Sequence, residues 1–217
     1  MAGLVEVDKV RVDKPGHPIS SSSAVTIRKP YPPYVSRGGI KLEAALRRFP
    51  VDVKERVVLD VGASTGGFTD CLLQEGTGRV IAVDVGYGQF HWRLRQDPRV
   101  TLLEKTNIRY LMPEDLEEKA DGAVIDVSFI SLRLVIPPVS KLLTPHAWII
   151  ALIKPQFEVG KGQVGKGGVV RDPSLHQQVV NELTEFSENH GWSVRGSMDS
   201  PLLGPKGNKE FLIYLRR

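Results

Sequence analysis

The sequence has 217 residues, of which 41% are hydrophobic and 25% charged, as in a soluble globular protein. This length fits one α/β domain with a small addition, and the net charge of +4 permits a nucleic-acid partner without establishing one. The single cysteine, Cys71, excludes an internal disulfide bond, and its position in a predicted helix indicates a buried thiol.

Membrane and metal-binding classes are disfavoured by the residue pattern. No apolar run approaches the roughly 18 residues of a membrane span, and the first residues do not form a signal peptide. We therefore expect a cytoplasmic protein with no membrane partner. The five histidines are scattered, and none pairs with cysteine or a second histidine at ligand spacing, so no metal site is predicted.

The first region alternates apolar and polar residues over short stretches. Residues 5–7, 10–12 and 24–27 are predicted to be short β-strands, with a turn at residues 14–16. They are too short to form an independent core. The following proline-rich stretch is predicted to be an extended linker.

Beyond the linker, strands alternate with helices. Strands are predicted at residues 56–61, 79–84, 100–103, 122–126 and 147–153, helices at 38–48, 67–75, 132–142 and 173–190, and closing strands at 192–194 and 210–215. This alternation predicts a Rossmann-like α/β fold, with a seven-stranded, mostly parallel sheet and helices on both faces. The two closing strands have no helix between them and predict an antiparallel last strand, which is typical of methyltransferases.

The strongest local motif is Asp-Val-Gly-Ala-Ser-Thr-Gly-Gly-Phe-Thr-Asp at residues 60–70. A strand ends on an acid, turns through glycines and enters a helix, which is where open α/β sheets bind ligands. The spacing lacks the dinucleotide and P-loop patterns and suits a ligand without phosphates, such as S-adenosylmethionine (SAM). The predicted cofactor-binding residues of this turn are Asp60, Gly62, Ala63, Ser64, Gly66, Gly67 and Phe68.

Three further residues extend the predicted cofactor site. Asp60 is expected to receive the α-amino group of SAM, and Asp84, at the end of the next strand, the ribose hydroxyls. Asn107 follows the third strand and either contacts the adenine or caps its loop. Asp126 ends the fourth strand and is assigned to the cofactor as well as to catalysis.

Four charged residues are candidates for catalysis. Lys41 belongs to Ser-Arg-Gly-Gly-Ile-Lys-Leu, Asp126 to Asp-Val-Ser-Phe-Ile-Ser and Lys154 to Ile-Lys-Pro-Gln-Phe-Glu. Glu210 begins the last predicted strand. Each of these residues, taken alone, could be a solvated strand end.

Together these motifs resemble the TlyA family, also called hemolysin A, whose members are rRNA 2′-O-methyltransferases with an FtsJ-like catalytic domain. The resemblance covers about residue 34 to the last residue. It implies SAM as cofactor and methylation of cytidine ribose in 16S rRNA, 23S rRNA or both. It also implies ribosomal subunits as partners and a catalytic tetrad of Lys41, Asp126, Lys154 and Glu210.

The chemistry of the reaction agrees with this tetrad. A ribose 2′-hydroxyl is a weak acid, so its attack on a methyl group needs a general base or a group that orients the oxygen. Lys154 is the candidate, and burial or a nearby cation such as Lys41 would favour its neutral form. Asp126 and Glu210 favour the charged form, and we expect them to orient the lysines and the hydroxyl.

The chain departs from the family pattern at its beginning, because residues 3–27 resemble only the last part of an S4-type RNA-binding domain. We therefore divide it into a remnant of an S4-like domain at 1–28, a linker at 29–35 and an FtsJ-like methyltransferase domain at 36–217.

The glycine-rich loop at 160–168 is either a lid over RNA or a plain solvated loop. Tyr31 and Tyr34 either stack on a base or pack against the domain. The predicted RNA-binding residues are Arg37, Lys161, Lys166, Arg171 and Lys209.

Other functions remain as alternatives. The protein could methylate another RNA or a small molecule. A membrane-active hemolysin is disfavoured, because the sequence has no apolar span and no clear basic amphipathic helix. An RNA-binding module without catalysis would need a broken tetrad, whereas all four positions are filled.

Overall fold

The computed structural model of the protein describes residues 5–12, 16–27 and 33–217. The first two ranges hold a small antiparallel sheet of β1 (Val5–Val7), β2 (Val10–Arg11) and β3 (Val25–Ile27), in the order β2-β1-β3. These strands confirm the predicted ones. The predicted turn at 14–16, apart from residue 16, and residues 29–32 of the predicted linker lie outside the described residues.

Strands and helices alternate over the rest of the chain, as predicted. Their bounds are α1 Gly38–Arg48, β4 Val57–Val61, α2 Gly67–Gln74, β5 Arg79–Val83, α3 Trp92–Arg95, β6 Val100–Leu103, β7 Ala120–Ile125, α4 Ile136–Lys141, β8 Leu143–Ile153, α5 Pro155–Glu158, α6 Pro173–Asn189, β9 Ser193–Asp199 and β10 Phe211–Arg216.

The large sheet has seven strands in the order β6-β5-β4-β7-β8-β10-β9. Strands β4 to β8 pair in parallel, whereas β10 runs antiparallel to both β8 and β9. This confirms the predicted Rossmann-like fold with its antiparallel last strand. Val61 pairs with Val83 and with Ile125, so Gly62, Asp84 and Asp126 leave their strands at the same level of one sheet edge.

Two clusters of buried side chains cover the faces of this sheet. Along β4, Val58 packs with helices α1 and α2, whereas Leu59 and Val61 pack with α4 and α6 on the other face. Because both faces are buried, the central strands are mostly apolar, as parallel strands usually are, and Asp60 of β4 is a buried exception. The helices on both faces therefore fix the level at which the strand ends meet.

The predicted continuous helix through Leu132 and Leu142 is wrong. The chain forms a 3₁₀ turn at Leu132–Leu134 and then the short helix α4. Pro137 and Pro138 lie in the first turn of α4. Proline has no backbone N–H and is tolerated only near a helix start, so one helix cannot run through both residues.

Candidate active site

The carboxyl ends of β4 to β7 open into a cavity of about 550 Å³, which we call the cofactor cavity. Strand order reverses here, since β4 lies between β5 and β7, and open α/β sheets bind ligands at such points. Five of the residues predicted to bind a cofactor line it: Gly62, Ser64, Asp84, Asn107 and Asp126.

The glycine turn after β4 forms one wall of this cavity. Gly62 and Gly66 have φ angles of +83° and +94°, which residues with a side chain rarely adopt. A Cβ atom at Gly62 would lie 2.6 Å from the carbonyl oxygen of Asp126. The turn therefore packs directly against the loop after β7, and only glycine fits there.

Backbone and side-chain hydrogen bonds hold the polar groups of this wall. Asp84 Oδ2 accepts a hydrogen bond from the Ser64 N–H at 2.7 Å, and its Oδ1 accepts one from the Gly86 N–H at 2.6 Å. Asn107 Oδ1 accepts one from the Arg109 N–H at 3.1 Å. Asn107 thus caps its loop while it also lines the cavity, which confirms the capping interpretation and leaves the adenine contact a prediction.

Asp60 lies beneath the glycine turn and lines neither this cavity nor the one described below. It is 1% exposed, and Oδ2 accepts a hydrogen bond from Thr69 Oγ1 at 2.6 Å. Oδ1 is buried and receives no hydrogen bond from the residues that the structure describes. Burial raises the pKa of Asp60 to about 7; Thr69 opposes this rise, and the nearby carboxylates of Asp126 and Asp84 add to it.

A second cavity of about 270 Å³ adjoins the first, and we call it the catalytic cavity. Gly62, Ser64 and Asp126 line both cavities, so the two lie side by side. The catalytic cavity is also lined by Lys41 of α1, Lys154 after β8 and Glu210 before β10. The structure therefore brings together all four members of the predicted tetrad.

The tetrad consists of two lysine–carboxylate pairs. Lys154 Nζ lies 2.5 Å from Asp126 Oδ1 and donates a hydrogen bond to Ser128 Oγ at 3.0 Å. Lys41 Nζ lies 2.6 Å from Glu210 Oε2. All four side chains are largely buried, so each charge has its counter-charge within the cavity wall.

The two oxygens of Glu210 differ in their contacts. Oε2 is paired with Lys41, whereas Oε1 is buried and has no hydrogen-bond partner in the described part of the chain. Gly204 packs so closely on this carboxyl group that a Cβ there would overlap it. A hydrogen-bond acceptor is therefore held in the wall of the catalytic cavity.

Sequence reasoning missed an exposed aromatic residue at the rim of the cofactor cavity. Phe129 is 91% exposed, and its ring centroid lies 5.1 Å from that of Phe157. Its position in the motif Asp-Val-Ser-Phe-Ile-Ser was the only available signal. Its exposure follows from the loop conformation, since Phe129 has a φ of +64°.

Other exposed aromatic residues lie in the loops after β5 and β6. Tyr87 and Tyr110 are both exposed. Lys105 Nζ lies 4.5 Å from the Tyr87 ring centroid, and the Arg109 guanidinium lies 5.3 Å from that of Tyr110. Flat rings and cations thus alternate beside the cofactor cavity, a pattern that the sequence analysis did not identify.

The predicted RNA-binding residues fall into different settings. Arg37 is exposed and lines the catalytic cavity. Lys166 and Arg171 are exposed but line neither cavity. Lys209 Nζ is paired with Asp199 at 2.9 Å and lies 5.2 Å from the Phe211 ring centroid. The side chain of Lys161 lies outside the described part of the chain.

Two further side chains prove to be structural. Tyr34 is 7% exposed, which confirms that it packs against the domain. Cys71 is buried, as predicted, and burial raises the pKa of its thiol to about 12. Neither group is therefore available for a ligand.

Over residues 5–12, 16–27 and 33–217, the structure has no group of three or more His, Cys, Asp or Glu side chains that could hold a metal ion. Within the same ranges, every helix is too short or too polar to cross a lipid bilayer.

Comparison with known proteins gives consistent matches. The family model for FtsJ-like methyltransferases matches residues 34–217. The chain is 47% identical to the 16S/23S rRNA (cytidine-2′-O)-methyltransferase TlyA of Mycobacterium tuberculosis, over 99% of this chain and 81% of that protein. It is 38% identical to Hemolysin A of Brachyspira hyodysenteriae, over 99% of this chain and 89% of that protein. A solved structure of a Streptococcus thermophilus protein described as a hemolysin superimposes with a TM-score of 0.84 at 46% identity, covering 100% of this chain and 80% of that one.

Proposed function

The chain belongs to the FtsJ-like methyltransferase family, and on that premise we propose that it transfers the methyl group of SAM to the ribose 2′-oxygen of a cytidine in ribosomal RNA. The Mycobacterium tuberculosis relative is named for this reaction. The observation that carries the proposal is the meeting of Lys41, Asp126, Lys154 and Glu210 in one cavity beside the cofactor cavity.

The residues around the larger cavity fit SAM. A volume of about 550 Å³ lies within the range of small-molecule sites. The turn at Gly62 allows a ligand to approach the backbone, and Asp84 and Asn107 provide polar groups for the ribose and the adenine. The buried, unpartnered oxygen of Asp60 favours a positive charge near the turn. When bound, SAM supplies an electrophilic methyl group on a sulfonium.

We assign the cofactor contacts residue by residue as a proposal. The turn would hold the amino-acid part, and the strand ends would hold the nucleoside. The residues proposed to contact SAM are Gly62, Ala63, Ser64, Gly67, Phe68, Asp84, Asn107 and Asp126. Asp60 and Gly66 line neither cavity, and we propose that they act on SAM through the turn that they support.

In the proposed mechanism, the tetrad orients the target hydroxyl. Asp126 and Ser128 fix the Lys154 Nζ, which donates a hydrogen bond to the 2′-oxygen and directs its lone pair toward the methyl carbon. Lys41, held by Glu210 at 2.6 Å, would orient the hydroxyl from the wall of the same cavity, and the proton of the hydroxyl would pass to water as the new C–O bond forms. The sequence leaves open whether Lys154 acts as a general base or orients the oxygen, and we propose the orienting role.

The surface around the two cavities supports RNA as the substrate. An exposed ring such as Phe129 can stack on an unpaired base, which is how proteins usually bind single-stranded RNA. Arg37, Lys105 and Arg109 provide positive charge for phosphates nearby. A ribosomal substrate would place the enzyme in the cytoplasm.

The division of the chain also remains a proposal, with an S4-like region at 1–28, a linker at 29–35 and the catalytic domain at 36–217. Lys161, Lys166, Arg171 and Lys209 are proposed to contact rRNA outside the cavities. We expect Lys209 to contribute least, because its charge is already paired with Asp199.

Transfer of label from radioactive SAM to unmodified ribosomal subunits tests the proposal. We expect label in rRNA with the unaltered chain and none with a catalytic variant. SAM binding with no label in any rRNA would contradict the substrate. Absence of SAM binding would contradict the methyltransferase activity itself.

A further inference from the structure

Two loops that follow neighbouring strands contact each other along their length. The β7 loop comprises residues 126–132, and the β8 loop comprises residues 154–158. Where the two loops begin, Lys154 contacts Asp126 and Ser128. The rings of Phe129 and Phe157 form a second contact further along, so the contacts follow the same order in both segments, the second of which includes α5.

Glu158 forms the last contact of this series. Its Oε2 accepts a hydrogen bond from Ser131 Oγ at 2.6 Å, and its Oε1 accepts one from the Leu132 N–H at 2.8 Å. Both oxygens therefore bind the end of the β7 loop. Glu158 lines neither the cofactor cavity nor the catalytic cavity, so any effect on the reaction must act through this loop.

The β7 loop contains a backbone conformation that needs such support. Phe129 has a φ of +64°, which is unfavourable for a residue with a side chain. The ring is 91% exposed, so burial contributes little to offset this strain. Strained backbone persists where its surroundings over-determine it. The contacts of Lys154 on one side of Phe129 and of Glu158 on the other provide that constraint.

We infer that Glu158 is a positioning residue that holds the β7 loop so that Phe129 presents its ring to the base of the target nucleotide. The inference rests on the proposed function, because it requires an RNA base at the cavity rim. It assigns to Glu158 a role in substrate positioning and none in SAM binding.

A double-variant cycle tests this role. Methyl transfer to unmodified ribosomal subunits is measured for Glu158→Ala, Phe129→Ala and the double variant, with SAM affinity from calorimetry. We expect Glu158→Ala to lower kcat/KM for the rRNA substrate about tenfold and to leave SAM affinity unchanged. The double variant should be no slower than Phe129→Ala alone, because both changes remove the same ring from its position.

Two further variants complete the experiment. Glu158→Gln should restore most of the activity, since its Oε1 can accept from Leu132 and its Nε2 can donate to Ser131 Oγ. Glu188→Ala, an exposed glutamate on α6, serves as the matched control. If Glu158→Ala fails to fold, Ser131→Ala replaces it in the cycle.

Three results would overturn the inference: losses that multiply in the double variant, a Glu158→Gln variant as slow as Glu158→Ala, or a changed SAM affinity. An unaltered chain that binds SAM but methylates no rRNA would instead refute the proposed function, and the inference with it.

Discussion

The cofactor cavity and the catalytic cavity lie at the same edge of the sheet but differ in the groups that form their walls. The wall of the first includes the glycine turn and Asp84, whose carboxylate accepts hydrogen bonds from the N–H groups of Ser64 and Gly86. The wall of the second carries four charged side chains from α1, β7, β8 and β10, arranged in two ion pairs. Changes to the first should therefore alter binding of SAM, and changes to the second the rate of transfer.

The largest expected effect is that of Lys154→Ala, which should lower the rate of methyl transfer while SAM affinity is kept. The rate should fall about 10²-fold, because the 2′-oxygen is then no longer held in line with the methyl carbon. SAM affinity should stay within about twofold, because Lys154 lines only the catalytic cavity. Single-turnover assays and calorimetry measure the two quantities, and a matching loss of SAM affinity would show that the cavities are not functionally distinct.

The converse change is Gly62→Ala. The added Cβ meets the Asp126 carbonyl oxygen, and overpacking of this kind costs about 1–3 kcal/mol. Since the turn must move to relieve this contact, SAM affinity should fall by a comparable free energy, which is about 5- to 150-fold. Gly191→Ala is the matched control, because Gly191 also has a positive φ, of +78°, but its Cβ would meet no atom within 4 Å. Equal SAM affinity in the two variants would refute the role assigned to the turn.

The buried carboxyl group of Asp60, beneath the glycine turn, should make the free energy of unfolding depend on pH. Its pKa is about 7 in the folded protein and near 3.8 when exposed, so folding favours its protonated form. Its contribution to the free energy of unfolding is full below about pH 4 and is lost as the pH rises through about 7. Urea unfolding from pH 4 to pH 8 should show this decline, and Asp60→Asn should remove it. An unchanged pH dependence in Asp60→Asn would contradict the assignment.

The smallest effects should come from single positive charges at the catalytic side. Arg37→Ala should reduce the slope of log affinity for rRNA against log salt by about one, because one phosphate contact is lost. Lys209→Ala should leave that slope unchanged, since Lys209 is paired with Asp199. Filter-binding titrations measure both slopes. A slope that changes with Lys209→Ala but not with Arg37→Ala would show that the RNA contacts Lys209 rather than Arg37.

The two cavities also differ in how far the sequence predicted them. The glycine turn is one contiguous motif between an apolar strand and a helix, so its conformation follows from local residue types. The mostly parallel sheet with its antiparallel last strand follows similarly from the alternation of strands and helices, whereas the order of the strands was not predicted. The tetrad spans Lys41 to Glu210, and its members were identified by resemblance to a family; the structure shows that they meet, and their catalytic role stays a prediction.

The features that sequence reasoning missed depend on contacts between distant segments. The exposure of Phe129 follows from a positive φ that the paired β7 and β8 loops hold in place. The pairing of Lys209 with Asp199 depends on the β9–β10 hairpin. No local pattern of residue types determines either contact, because each requires the folded positions of two loops or strands.

The central claim is that the tetrad methylates a ribose oxygen of cytidine in ribosomal RNA. Its most direct test is mass spectrometry of nucleosides from unmodified ribosomal RNA after incubation with the protein and SAM. We expect 2′-O-methylcytidine to appear with the unaltered chain and to be missing with Lys154→Ala. A methyl group on a base, or 2′-O-methylcytidine at an equal level with Lys154→Ala, would contradict it.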